Sequence, residues 1–225
     1  IRPDKATLEA ENVEATALGA MTNLDRHIRN MTSFGVPVVV SINRFTSDTD
    51  AELAAISQAA HESGASAVCI TEVHANGGEG GKDLAEAVVK AVQNHVAAGR
   101  PFVPLFTPET DVLEKAEAIA KRLYKADGLE LTAKANRELD RIRSWGYGHL
   151  PVCMAKTQYS FSHDAGLLGA PTGFTVPVRE FRLNAGAGFV VAVLGDMMTM
   201  PGLPKRPAAL DMDMDEDGNL LGVFG

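Results

Sequence analysis

The run Val36-Pro37-Val38-Val39-Val40-Ser41-Ile42 constrains what this chain can fold into more than any other stretch. It is rich in β-branched residues and does not alternate apolar with polar, the pattern of a strand covered on both faces in a parallel sheet. A tight turn cannot reach a parallel partner, so a crossover has to follow. The sequence supplies one. Thr49 is placed to cap a helix starting at Asp50, Glu52 sits at the capping-box position, Leu53, Ile56 and Ala60 form an apolar stripe, and Gly64 closes the helix. Ala67 to Thr71 then reads as a second strand, followed by the glycine loop Asn76-Gly77-Gly78-Glu79-Gly80-Gly81 and a helix from Asp83 to Ala97. Strand, helix, strand, loop, helix predicts a right-handed parallel α/β unit whose two post-strand loops share one rim.

Upstream, Leu8, Val13, Leu18, Met21, Leu24 and Ile28 are spaced near three to four residues over 7–30, with wider gaps before Leu18, an amphipathic helix pattern that Gly35 stops. Downstream of the prolines between Pro101 and Pro108, helices are expected over 111–124 and 132–145, and strands over 150–155, 173–183 and 188–194. The fold class is therefore α/β: a parallel-sheet α/β unit on the N-terminal side followed by a mixed α/β C-terminal part. At 45% hydrophobic, 225 residues can bury a real core. With 21 Lys plus Arg against 29 Asp plus Glu, the net charge of −8 argues against nucleic acid or anionic membrane as partner. The only cysteines, Cys69 and Cys153, lie in apolar runs and are expected as reduced core thiols of a cytoplasmic protein. No apolar run has the length of a membrane helix.

Several motifs resemble known ligand sites and fall short of them. Gly77 to Lys82 suggests a phosphate-binding P-loop, but the first required glycine is Asn76 and the hydroxyl residue after the lysine is Asp83. What survives is a glycine loop after a parallel strand, where α/β proteins bind ligands, or else a structural turn. Asp213 to Gly218 copies the opening of a calcium loop, yet its twelfth position is Phe224 instead of a bidentate Glu, so an acidic turn is expected. Gly186-Ala187-Gly188 begins like a dinucleotide fingerprint that fails at Val191. The six histidines have no metal-ligand spacing, and no metal is expected in this chain.

Longer blocks carry more information. Asn23-Leu24-Asp25-Arg26-His27-Ile28, the stretch from Phe34 to Phe45, and Glu72-Val73 leading into Gly77 to Gly81 resemble formate–tetrahydrofolate ligase in order and spacing. So do Leu150 to Ser160, Val178-Arg179-Glu180, Asn184 to Phe189 and Gly195 to Pro204. The resemblance spans essentially all 225 residues and corresponds to the C-terminal portion of that family.

It implies an enzyme of one-carbon metabolism that joins formate to tetrahydrofolate, with ATP and magnesium, through formyl phosphate to 10-formyltetrahydrofolate. Residues 1–42 would be the tail of the large nucleotide-binding domain, and 43–225 a C-terminal folate-facing domain. In the family the pterin lies between two aromatics, one after a strand ending in Asn and one just before the glycine loop. These positions map onto Phe45, beyond Asn43, and onto His74, where the family carries Trp, with Gly77 and Gly78 leaving room for the ligand. Phe45 three residues past a strand ending at Ile42, and His74 three past Thr71, would face each other across a slot. A core place for Phe45 and a solvent-facing place for His74 stay open. Thr175-Val176-Pro177 resembles a stretch associated with the adenine pocket, and Lys156, Thr157 and Gln158 suit either ligand contact or inter-domain hydrogen bonds. No residue is assigned a catalytic role. The implied partners are formate, ATP, tetrahydrofolate, the N-terminal portion of the same enzyme and further copies of it; the alternative is a non-catalytic C-terminal fragment or subunit that only binds that portion. Because the family's P-loop lies in the N-terminal portion, the 225 residues by themselves are expected not to turn over ATP, formate and tetrahydrofolate. An assay of the purified piece checks this, and formyl transfer product above background would contradict it.

Overall fold

The computed structural model describes residues 10–195, 206–216, 218 and 220–222. Contacts divide the chain into two units, 1–195 and 196–225. The first is α/β, with parallel and mixed sheets among helices.

Helix α1 (Val13–Gly19) is capped by Asn12, whose side chain accepts from the Ala15 amide at 2.9 Å, and runs through a π turn (Ala20–Leu24) into α2 (Asp25–Thr32). Gly35, at φ +79°, ends it by donating to Thr32 O. The expected apolar stripe is only partly used: Ile28 is buried, whereas Leu18 and Met21 are exposed. Strand β1 (Val39–Asn43) pairs in parallel with β2 (Ala67–Thr71), Val39 opposite Ala67 and Asn43 opposite Thr71. Between them lies α3 (Asp50–Glu62), whose capping box is present: Thr49 Oγ1 accepts from the Glu52 amide and the Glu52 carboxylate accepts from the Thr49 amide. The same carboxylate accepts from the Asn12 amide at 2.8 Å, so one acidic side chain ties together the starts of α1 and α3. Full coverage of both faces is not what these strands receive. Ile42 is buried, but Ile70 is 43% exposed, because a two-stranded sheet flanked by α3 and α4 (Lys82–Ala97) leaves part of its surface without a layer.

The main core lies in the second half of this unit. α5 (Val112–Ile119) passes through a π turn (Ala120–Tyr124) that Lys125 ends at φ +60°. β3 (Gly128–Leu131), absent from the expected elements, pairs in parallel with β5 (Thr175–Val178). Its four residues mix one Gly and one Glu with two Leu, too short and too polar a run to read as a strand. α6 (Ala133–Ser144) is capped by Thr132. β4 (Val152–Ala155) pairs in parallel with β7 (Phe189–Val193), which pairs antiparallel with β6 (Glu180–Asn184). The stretch expected as one strand over 173–183 is thus divided at Arg179 between two sheets. Gly186-Ala187-Gly188 is the hairpin turn joining β6 to β7, with Gly188 at φ +74°. Val112, Leu139, Ile142, Val176, Val178, Phe181, Val190 and Leu194 form the shared core. Neither cysteine is in it: both are unpaired, Cys153 exposed because it is the outward residue of β4, and Cys69 half-buried on the same face of β2 as the buried Thr71.

Lys115 is the unusual member of this interior, at 1% exposure. Its Nζ donates to Pro108 O at 2.8 Å and to His149 O, and lies 5.6 Å from the Phe106 ring centroid. Burial pushes its pKa below the ordinary lysine value while Glu109 and Asp111 pull it back up. The ammonium therefore pins the loop before α5 to the loop before β4. Asp111 adds a second tie, accepting from the Leu113 amide and pairing in a fork with Arg143 of α6.

In the second unit, β8 (Asp213–Met214) and β9 (Leu220–Leu221) form a short antiparallel pair around the acidic turn. Asp217 and Phe224, on which the calcium-loop comparison turns, lie outside the described residues, as does the 196–204 part of the block ending at Pro204.

Replacing Lys115 by Met keeps most of the stem but leaves Pro108 O and His149 O without their donor. A loss of about 1.5–3 kcal/mol is expected for such charged-donor bonds, or a melting midpoint lower by roughly 3–12 °C. An unchanged midpoint in thermal melting would show that the pin does not stabilise the fold.

Candidate functional site

The carboxyl ends of β1 and β2 are held level by side chains as well as by the ladder. Thr71 Oγ1 donates to Ile42 O at 3.3 Å and lies 3.0 Å from Ser41 Oγ, and the Arg44 amide donates to Thr71 O at 3.0 Å. β1 extends to Asn43, one residue further than expected, so Phe45 stands two residues beyond it while His74 stands three beyond β2. The Phe45 amide donates to Asp48 Oδ2 at 2.7 Å, and the Asp48 amide returns a bond to Phe45 O. That turn fixes the backbone and leaves the ring 65% exposed, which removes the core place for Phe45. Arg44 reaches Asp50 at 3.0 Å and fastens the loop to the start of α3.

His74 is exposed on a single helical turn (Val73–Asn76) that leads into a 3₁₀ segment (Gly77–Gly81). The glycine stretch is consequently a folded-back cap and not an open loop. Its closure is the bond from the Glu72 amide to Gly80 O at 3.0 Å. Gly80 is the residue that sequence reasoning missed: a Cβ there would stand 2.4 Å from Glu72 O. Four glycines in six residues hid which one the backbone needs. Gly77, at φ +56°, and Gly78 face open space instead. Among the described residues no ring contact joins Phe45 to His74. Asn43, Phe45, His74, Gly77 and Gly78 nevertheless all issue from one edge of one parallel pair.

A cavity of about 790 Å³ opens at the other, amino end of the same strands, between Val36, Pro37, Ser66 and the Lys90, His95 and Arg100 side chains. It is a separate place from the Phe45 and His74 rim. Thr175, Val176 and Pro177 form β5, in the other half of the unit. Val176 is 1% exposed within the core, Thr175 is exposed and Pro177 half-buried, so Val176 can offer a ligand only its backbone. Lys156 directly follows β4 and turns its Nζ inward onto Thr157 O and Ser160 O. Among the described residues no group of three His, Cys, Asp or Glu is placed to hold a metal ion, and no helix is long and apolar enough to cross a membrane.

The family model described as Formate–tetrahydrofolate ligase matches residues 2–224. Proteins named formate–tetrahydrofolate ligase from Roseobacter denitrificans and from a Ruegeria species are 51% and 52% identical to the chain over 220 residues, 98% of its length. One from Paracoccus denitrificans is 50% identical over 220 residues. The chain spans about two-fifths of these relatives, 38% of the first two and 39% of the third.

The crowding at Gly80 predicts that Gly80→Ala forces the Glu72–Gly80 closure apart, at about 1–3 kcal/mol for overpacking, whereas Gly78→Ala is tolerated. Amide hydrogen exchange over residues 72–81 reads the difference directly. Equal protection in the two variants would contradict it.

Proposed function

The chain belongs to the formate–tetrahydrofolate ligase family, and from that premise we propose that it is the folate-facing part of an ATP-dependent ligase that joins formate to tetrahydrofolate. Formate is a poor acylating agent. Phosphoryl transfer from ATP, carried with magnesium, converts it to formyl phosphate, and the N10 amine of the folate then attacks the carbonyl and expels phosphate. ADP, phosphate and 10-formyltetrahydrofolate are the products. In this reading the phosphate cradle belongs to the rest of the ligase, since the glycine loop here lacks both the first glycine and the hydroxyl a P-loop needs. Residues 1–42 complete the nucleotide-binding domain and 43–225 face the folate. Thr175, Val176 and Pro177 contribute to the adenine side, through backbone in the case of Val176. The whole enzyme works as a homo-oligomer in the cytoplasm.

One observation supports the pterin site more than any other. β1 and β2 run parallel and in register, so the exposed Phe45 ring and the turn bearing His74 leave the sheet at the same edge, with the open backbone of Gly77 and Gly78 following. Ligands of α/β proteins bind at such edges. Asn43 closes β1 at the same level. The rival, a non-catalytic module that only binds the remainder of the ligase, could bury the same aromatic in a protein contact, and tetrahydrofolate binding separates the two.

Flat-ring stacking on an aromatic contributes about 1–3 kcal/mol per ring, so Phe45→Ala in the full-length protein is expected to weaken tetrahydrofolate binding roughly five- to a hundredfold. His74→Trp, with a larger ring, is expected to tighten it. Dissociation constants for wild type and both variants decide the matter, with circular dichroism to establish that the fold is intact. Unchanged affinity in Phe45→Ala would move the pterin elsewhere.

A further inference from the structure

The second edge at which parallel strands end, beyond β4 and β7, gathers a cluster that the pterin reading does not use. Phe161 is 7% exposed, and three basic side chains surround its ring. The Arg26 guanidinium carbon lies 5.6 Å from its centroid, Lys156 Nζ 6.0 Å, and the His27 ring centroid 4.6 Å at an interplanar angle of 50°. Lys156 also lies 5.4 Å from the Tyr124 centroid. Two of these basic side chains come from α2 and the third from the residue after β4, so the fold brings together positions 130 residues apart.

Among the described residues, Asp25 is the acid that acts on this cluster, at Arg26, and it makes its own ion pair elsewhere. Lys156 spends two donors on Thr157 O and Ser160 O. Arg26 spends two on Tyr124 O at 3.1 Å and Ala170 O at 3.5 Å. The neighbouring carboxylate, Asp25, is 2.7 Å from Arg29, and Asp164 accepts from the Gly166 amide. Among the described residues no carboxylate pairs with Arg26, His27 or Lys156. Burial holds all three below their ordinary pKa values, with Asp25 pulling Arg26 part of the way back up and Lys156 adding to the depression at His27.

Fastening the Ser160 loop needs one donor, and a cluster of like charges raises the free energy of that job instead of lowering it. Two cations and an imidazole with unspent donors, set where parallel strands end, match the requirements of a negative group, whose arrival would also favour protonation of His27. We propose that Arg26, His27 and Lys156 form a subsite for an oxyanion, a phosphate or carboxylate group carried by a small ligand, which enters from the exposed His27 side. The inference does not depend on where the pterin lies.

Carbethoxylation of His27 by diethyl pyrocarbonate, followed peptide by peptide in the natural full-length protein, reads this site without interference from other anion sites. Inorganic phosphate and, separately, the dicarboxylate glutarate are the probes. At least one is expected to slow His27 modification fivefold or more while leaving the exposed His61 unaffected. Protection by phosphate alone assigns a phosphate group, and by glutarate alone a carboxylate. The protection should vanish in Lys156→Met and in Arg26→Gln and persist in Lys156→Arg. Because Arg26 is only half-buried, its variant keeps the test valid if Lys156→Met does not fold. Absence of protection by both anions overturns the proposal, as would protection that survives in every folded variant lacking one of the two charges.

Discussion

Parallel pairing is the constraint from which the candidate site follows. Two strands running the same way must be joined by a crossover, here α3, and their carboxyl ends must then open on the same side. Every feature of the Phe45 and His74 rim is a consequence: the level set by Asn43 and Thr71, the turn that exposes Phe45, and the fold-back of Glu72 onto Gly80. Glu52 extends the constraint upstream. By accepting amides from both Thr49 and Asn12 it sets the first helix against the crossover, so the segment carrying Arg26 and His27 is oriented by the same unit that carries the rim.

Two inward-turned lysines show how the protein handles a charge removed from water. Lys115 is enclosed by carbonyls and an aromatic face, with Glu109 and Asp111 near enough to offset part of its desolvation, and it acts as a pin between two loops. Lys156 has carbonyls and aromatic faces too, but its further neighbours are Arg26 and His27 in place of acids. The first environment is complete within the chain. In the second, no carboxylate among the described residues pairs with the lysine, and that difference is what the proposed oxyanion subsite rests on.

Legibility followed the range of the interactions. The capping box at Thr49 and Glu52, the stop at Gly35 and the order of β1, α3 and β2 are local or periodic, and all could be read from neighbouring residues. β3 could not, because Gly128 to Leu131 becomes a strand only through its partner Thr175 to Val178, almost fifty residues away. The same partner choice divided 173–183 at Arg179. Gly80 was hidden for a related reason: what singles it out is the carbonyl of Glu72, which reaches it only after the chain folds back.

The sequence by itself determined the α/β class, the parallel unit, the family and the edge at which Phe45 and His74 emerge, because those depend on periodicity, caps and residue blocks that survive in one dimension. Only the tertiary structure decided that Phe45 is exposed and not part of the core, that Val176 is enclosed, that Lys115 is buried, and that Arg26, His27 and Lys156 share one ring. Exposure and charge environment are sums over neighbours distant in sequence, and a chain has no such neighbours until it folds.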